Sequence, residues 1–373
     1  MTTIEKYFPQ GIAVDNAFCN RVEEKSHLRN SILSNEHIVL VAPRRYGKTS
    51  LITQILKDIE LPSTSMDFFF VLTHAEACKQ ITEGVSNLIN TLLPKSKALC
   101  NTLIEGIKAF NPKLTINFFG QKLEIGTKQT TEKSISELLL ALDYFAGKVN
   151  KTCAVVLDEF QQIGELKENH AIEAAIRHAV ERSQHISYIF SGSKRHLLNE
   201  MFSNKTRPLY HLCDLMPLDR IEDKAYKLFF NKQAKKKWAA QIDDDTLSEI
   251  LLLTENHPYY VNALCRKLWH NSLPPTLSQV RACWEEYVDS QAAWIMNDFS
   301  ALTLSKRKII TALASKPIKE PQGVEFSEMT KLTPSSISKA LLYLTRHDYV
   351  YKNRENHYCV FDPAIAYFIR KSI

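Results

Sequence analysis

Apolar and polar residues follow three different rhythms along this chain. Continuous apolar runs stand at Ile38–Val41, Cys153–Leu157 and Ile186–Phe190. Runs this short, with β-branched residues, predict buried parallel strands. Two more strands are expected over Asp67–Thr73 and Leu212–Met216. Helical spacing follows the first run in LITQILKDI and recurs over Gln80–Leu93, Leu99–Phe110 and Ser134–Ala146, the last with apolar residues at 135, 138, 139, 142 and 145. An alternating stretch over Leu114–Gly126 predicts a hairpin turning near Gly120-Gln121. Residues 218–299 read as helices throughout. From Leu304 come three short helices (SKRKIITALAS, FSEMTKLT and TPSSISKALLYLTRHD), the third with Thr333 as cap and Pro334 at its first position. A second hairpin, YVYKNRENHYCVFD, turns around Asn353–Asn356. Strands alternating with helices, then helices alone, then helices with a hairpin imply an α/β domain followed by two smaller ones.

Composition narrows the class. The chain has 373 residues, 45% hydrophobic and 24% charged, which excludes a disordered polymer and leaves room for two or three domains. Its most apolar stretches, such as Phe68–Leu72, are far too short to span a membrane. MTTIEKYFPQG lacks a basic start and an apolar core, so no signal peptide is expected, and a cytoplasmic location is. The eight cysteines are scattered without a C-x-x-C pair, as reduced thiols in a core would be. The net charge of +6 looks diffuse until it is located. Residues 300–373 hold twelve of the 47 Lys and Arg and six of the 41 Asp and Glu, which leaves 35 of each sign in 1–299. The whole excess lies at the C-terminal end, a hint of an anionic partner there.

The sharpest chemistry lies after the first apolar run, in Ala42-Pro43-Arg44-Arg45-Tyr46-Gly47-Lys48-Thr49 followed by Ser50. This matches the phosphate-binding P-loop pattern, with Ala42 in place of the first glycine, in the strand–loop–helix context that the chemistry needs. Loop N–H groups and the helix N-terminus would face phosphates. Lys48 would reach the β and γ oxygens, and Thr49 would ligate Mg²⁺. Gly47 would let the backbone come close to the ligand. The second apolar run ends in Asp158-Glu159, at the strand edge where ligands bind in doubly wound sheets. There Asp158 would hold Mg²⁺ and Glu159 would polarise the attacking water. Ile186–Phe190 ends in Ser191-Gly192-Ser193. Ser191, or Ser193 close behind, could contact the γ-phosphate, while Ser193 could equally cap the next helix. Arg207, before the last strand, reads either as a finger toward a neighbouring subunit's γ-phosphate or as a surface arginine.

Taken in order, APRRYGKTS, VVLDEFQ, YIFSGSKRHLL and RPLYHL resemble an AAA+-type P-loop ATPase of the STAND branch, close to the archaeal-type ATPase group. The resemblance implies a P-loop parallel sheet with helices on both faces over 1–217, an α-helical lid over 218–299 and a winged-helix domain over 300–373. It also implies ATP or ADP with Mg²⁺, held between P-loop and lid, in an ATP-hydrolysing switch. Phe18-Cys19-Asn20-Arg21-Val22-Glu23 stands where that family has a Gly-Arg-Glu motif, so Arg21 should flank the adenine. Asn256-His257-Pro258 stands where it has Gly-x-Pro, so His257 and Pro258 should touch the nucleotide, unless they simply start a packed helix. Asn replaces both family glycines and tolerates the left-handed backbone they supply. The 110 residues from Lys48 to Asp158 leave room for an insertion at about 76–130.

The C-terminal pattern leaves two outputs open. If it binds duplex DNA, its third helix would present Ser335, Ser336, Lys339 and Arg346, and its wing Lys352 and Arg354. Alternatively it contacts protein, a partner or another copy in a nucleotide-dependent homo-oligomer, or the chain is a nucleotide-locked scaffold with little turnover. The lysines at 232 and 235–237 read as a solvated face.

Overall fold

The computed structural model describes residues 7–93, 105, 114–119, 122–127, 132–167, 169–353 and 355–373. They form two compact units, one of Arg21–Arg44 with Lys48–Asp219, the other of Arg220–Ile373 with Arg45–Gly47 and the N-terminal residues up to Asn20.

In the first unit, α1 (Val22–Leu33) leads into β1 (Ile38–Val41), α2 (Lys48–Asp58), β2 (Ser63–Asp67) and α3 (His74–Leu92). An antiparallel hairpin follows, β3 (Leu114–Phe119) with β4 (Lys122–Thr127), pairing Phe119 with Lys122. Then come α4 (Glu132–Lys148), β5 (Cys153–Asp158), α5 (Gln161–Gly164), α6 (Asn169–Val180), β6 (Ile186–Gly192), α7 (Arg195–Ser203) and β7 (Asp214–Pro217). The apolar runs became the buried centre of one all-parallel sheet, ordered β2-β5-β6-β1-β7. β6 therefore lies between the phosphate-loop strand and the acidic strand, with Leu40 beside Ser191 and Leu157 beside Phe190.

Two expectations shift here. The strand predicted over Asp67–Thr73 lies earlier, at the polar Ser63–Asp67. This is an edge strand, and only Thr64 and Met66 are buried in it. The apolar FFFVL that suggested a strand is a turn in which Phe68 and Val71 point inward and Phe70 and Leu72 lie 82% and 78% exposed. The segment read as an insertion from about 76 opens with α3, yet α3 belongs to the sheet's own core: Ala77, Ile81, Val85, Leu88 and Ile89 are wholly buried. Thr73 and Glu76 cap it reciprocally. The helix expected over Leu99–Phe110 lies outside the described residues.

The second unit contains α8 (Asp223–Trp238), α9 (Asp244–Thr254), α10 (Pro258–Leu268), α11 (Leu277–Ser290), α12 (Ala292–Ser300), α13 (Leu304–Ser315), α14 (Val324–Thr330) and α15 (Pro334–Arg346). β8 (Val350–Lys352) and β9 (Tyr358–Val360) follow as an antiparallel pair, then α16 (Pro363–Ser372). One hydrophobic core runs through all of it, from Phe230 and Trp284 to Phe326 and Leu344. The N-terminal segment joins this core through Phe8, whose ring meets Trp269 at 4.6 Å. Ile318 makes one antiparallel bridge to Tyr358 beside the β8–β9 pair. Thr333 caps α15 as expected, accepting from the Ser336 N–H.

Candidate functional site

The phosphate-site side chains of the first unit hang on strand ends, on the turns after them, or on the first turn of α2. β1 ends at Val41 and leads into buried Ala42 and Pro43, exposed Arg44 and, from Lys48, the first turn of α2. The buried Lys48 ammonium donates to the carbonyls of Ala42 (2.8 Å) and Pro43 (3.0 Å). Gly47 has φ +86°, a conformation that penalises any side chain, and no heavy atom lies within 4 Å of where a Cβ would stand. Thr49 is exposed, with its hydroxyl 3.4 Å from Asp158 Oδ2. The other Asp158 oxygen accepts from Ser191 Oγ at 2.5 Å and from the Glu159 N–H at 3.0 Å. One carboxylate oxygen is thereby fixed, and the other faces the threonine. Among the described residues no three His, Cys, Asp or Glu side chains converge. A divalent cation here would rest on Thr49, Asp158, water and phosphate oxygens, a hard-oxygen set suited to Mg²⁺.

Glu159 sits at a left-handed φ of +50°, just past the strand. Its Oε2 accepts from Gln161 Nε2 (2.5 Å) and Ser193 Oγ (2.7 Å), and Ser193 in turn accepts from Arg44 Nε (3.3 Å). Burial pushes the Glu159 carboxyl up. The Gln161 and Ser193 hydrogen bonds, with the charges of Lys48 and Arg44, outweigh it and hold the group below its ordinary range. Glu159 is therefore an ionised carboxylate at neutral pH. The alternative of Ser193 as a helix cap does not hold. The residue flanking α7 is Lys194, which makes no side-chain cap, and Ser193 is spent on Glu159. Gln161 carried no sequence signal, because its contact with Glu159 depends on the turn after β5.

Arg207 is held inside this unit, its guanidinium on the fully buried Glu173 with His170 Nε2 at 3.4 Å. The surface-arginine reading does not describe this buried pairing. Arg21, 5% exposed, pairs with Glu24 at 2.8 Å. It opens α1 at φ +66°, directly after Asn20 at φ +53°. Ser50 lies half-buried in the first turn of α2.

The second unit holds the loop residues Arg45 and Tyr46. The Arg45 guanidinium lies 4.1 Å from the Tyr259 ring centre. Buried Tyr46 stacks on Phe361 at 5.7 Å and meets the edge of His257 at 4.9 Å. His257 precedes Pro258 at the start of α10, and Asn256 has φ +57° as the left-handed reading requires. Burial first, then the charges of Arg220 and Arg45, hold His257 well below its usual range, so it is neutral. Its Nδ1 is buried with no hydrogen-bond partner among the described residues. Farther along, Ser335, Lys339, Arg346 and Lys352 are exposed and Ser336 is half-buried. Lys352 sits over the Tyr358 ring at 4.7 Å. Arg354 lies outside the described residues.

A parallel sheet whose inner strand runs into a Gly-Lys-Thr loop, with the acidic strand one strand away, defines the AAA+-type P-loop fold. The chain is similar throughout to the Walker-type ATPase PABY2304 of Pyrococcus abyssi, at 16% identity and a TM-score of 0.69 over 96% of this chain and 98% of that one. It is likewise similar to the Aeropyrum pernix ORC2 protein. The ADPNP–ADP complexes of that protein give 13% identity and a TM-score of 0.57 over 99% and 98% of the two chains. Its ADP form gives 11% and 0.52 over 96% and 97%. No family model and no curated protein matches the sequence. Among the described residues no helix is long and apolar enough to cross a membrane.

Proposed function

We propose that this protein is a Mg²⁺-dependent ATP-binding and ATP-hydrolysing switch of the STAND type. The nucleotide-binding domain would be 1–217, the lid 218–299 and a winged-helix output module 300–373. The carrying observation is the convergence of Lys48, Thr49, Asp158, Glu159 and Ser191 from the ends of three adjacent strands. The similar Walker-type ATPase and the nucleotide complexes of ORC2 support the same reading. ATP enters with its phosphates along the loop of residues 42–49. Lys48 would exchange the loop carbonyls for phosphate oxygens, and Thr49 and Asp158 would hold Mg²⁺, which would neutralise charge on the phosphates. Ser191 orients Asp158. Glu159, ionised, takes a proton from the attacking water once its oxygen is free of Ser193 and Gln161. By resemblance, Arg21 is assigned to the adenine, and His257 and Pro258 to contact with the nucleotide.

A titration with fluorescent mant-ATP tests the binding step. Wild type should bind with Mg²⁺ present, and Lys48→Ala should weaken binding by about 1.5–3 kcal/mol, the cost of a charged hydrogen bond. Equal affinity of the two proteins contradicts the assignment.

The concentration of the basic excess in residues 300–373 favours a second reading of the output, duplex DNA bound through Ser335, Ser336, Lys339, Arg346, Lys352 and Arg354. Contact with a protein partner or a second copy is the competing output.

A further inference from the structure

The tip of the phosphate loop carries a tyrosine that nucleotide chemistry does not call for. Tyr46 lies between two left-handed residues, Arg45 at φ +66° and Gly47 at φ +86°. Glycine accepts that conformation at no cost, whereas arginine there is strained and persists only when its surroundings over-determine it. They do. Arg45 is stacked on Tyr259, and Tyr46 is packed between Phe361 and His257. The tyrosine hydroxyl then accepts from Arg220 Nε at 3.1 Å.

Arg220 is the hub of this arrangement. Its Nη1 donates to the Glu255 carbonyl (2.8 Å) and carboxylate (3.0 Å), and its Nη2 to the Phe361 carbonyl (2.7 Å). The guanidinium plane also lies 4.5 Å from the Tyr351 ring centre. One planar fork therefore ties the loop tyrosine to the turn before α10, to β8 and to the residue just past β9. A lysine could not reproduce that set of directions. None of these partners is near Arg220 in sequence.

We propose that Arg220, acting through the Tyr46 hydroxyl, is a positioning residue that holds the phosphate loop in its nucleotide-ready shape. The inference rests on the ATP-binding reading above. An unheld loop must be ordered when the ligand arrives, which costs conformational entropy that a held loop has already lost. Releasing the tyrosine should therefore weaken nucleotide binding while leaving the phosphate-contacting groups in place.

The test is a double-mutant cycle on the full chain with mant-ATP as probe. Tyr46→Phe removes only the hydroxyl and keeps the ring on Phe361 and His257. Arg220→Lys keeps the charge and loses the fork. Each single variant should raise Kd about tenfold, the size of one hydrogen bond to a charged group. The double variant should be no worse than the poorer single one, because both break the same link. KM should rise with kcat little changed, a split that loss of folded protein would not give. Tyr46→Phe with wild-type affinity overturns the proposal, as do effects that simply add. If Arg220→Lys does not fold, Tyr46→Phe alone decides. Failure of wild type to bind mant-ATP would instead remove the ATP-binding reading, a distinguishable result.

Discussion

Arg207 shows how one contact changes what a residue can do. Its guanidinium is set on Glu173, a carboxylate with no exposed surface. Above about pH 7, where Glu173 is ionised, removing its partner leaves a buried charge uncompensated, so Arg207→Ala should there cost about 3–5 kcal/mol of stability in urea unfolding. Adding Glu173→Gln should recover much of that. Burial, opposed by Arg207, pushes the Glu173 carboxyl from 4.5 up to about 7. The folded state thus holds this proton more tightly than the unfolded one. Its contribution is full below about pH 4.5 and is lost as pH rises through about 7. The urea midpoint should fall across that window, and Glu173→Gln should flatten the slope. Lys48, Thr49, Asp158 and Ser191 were legible in the sequence because each follows an apolar run, and the run fixes where the residue stands. Gln161, Glu173 and Arg220 were not, since their partners arrive only through the assembled sheet, the α6–α7 region or the turn before α10.

Among the elements, β6 is the one on which the site depends most. It carries Ser191 to Asp158, and Gly192 next to it leaves room for Gln161. A Cβ at Gly192 would run into the Gln161 side chain and come within 3.0 Å of Leu198 Cδ1. Gly192→Ala should cost about 1–3 kcal/mol through overpacking. It should also lower turnover, because Gln161 holds Glu159. Calorimetry and a phosphate-release assay would check both. Continuous apolar runs located β1, β5 and β6 well, since buried parallel strands need apolar residues on both faces. The same rule misplaced β2. An edge strand buries only alternate residues, and its polar STSMD gives no such run, while FFFVL beside it is apolar for other reasons. α3 escaped assignment to the core for a related reason: nothing in its spacing tells which neighbour its apolar face will meet.

At the scale of the whole molecule, charge and chemistry lie in different parts of the chain. Residues 1–299 are balanced in charge, and the basic excess belongs to the C-terminal helices and hairpin. If duplex DNA is the output ligand, affinity should fall steeply between 50 and 200 mM salt, and Lys339→Glu should weaken binding across all sequences. Fluorescence anisotropy with a labelled duplex reads both, and an absence of any salt-dependent shift leaves the protein-contact output. Hydrolysis is assigned to the first unit, and phosphate release by wild type and Glu159→Gln tests it most directly. The carboxylate is needed to take the proton from water but not to hold the phosphates. Glu159→Gln should therefore bind mant-ATP as wild type does and lose at least about 99% of turnover, the lower end of what general-base catalysis contributes. Turnover unchanged in Glu159→Gln would contradict the account.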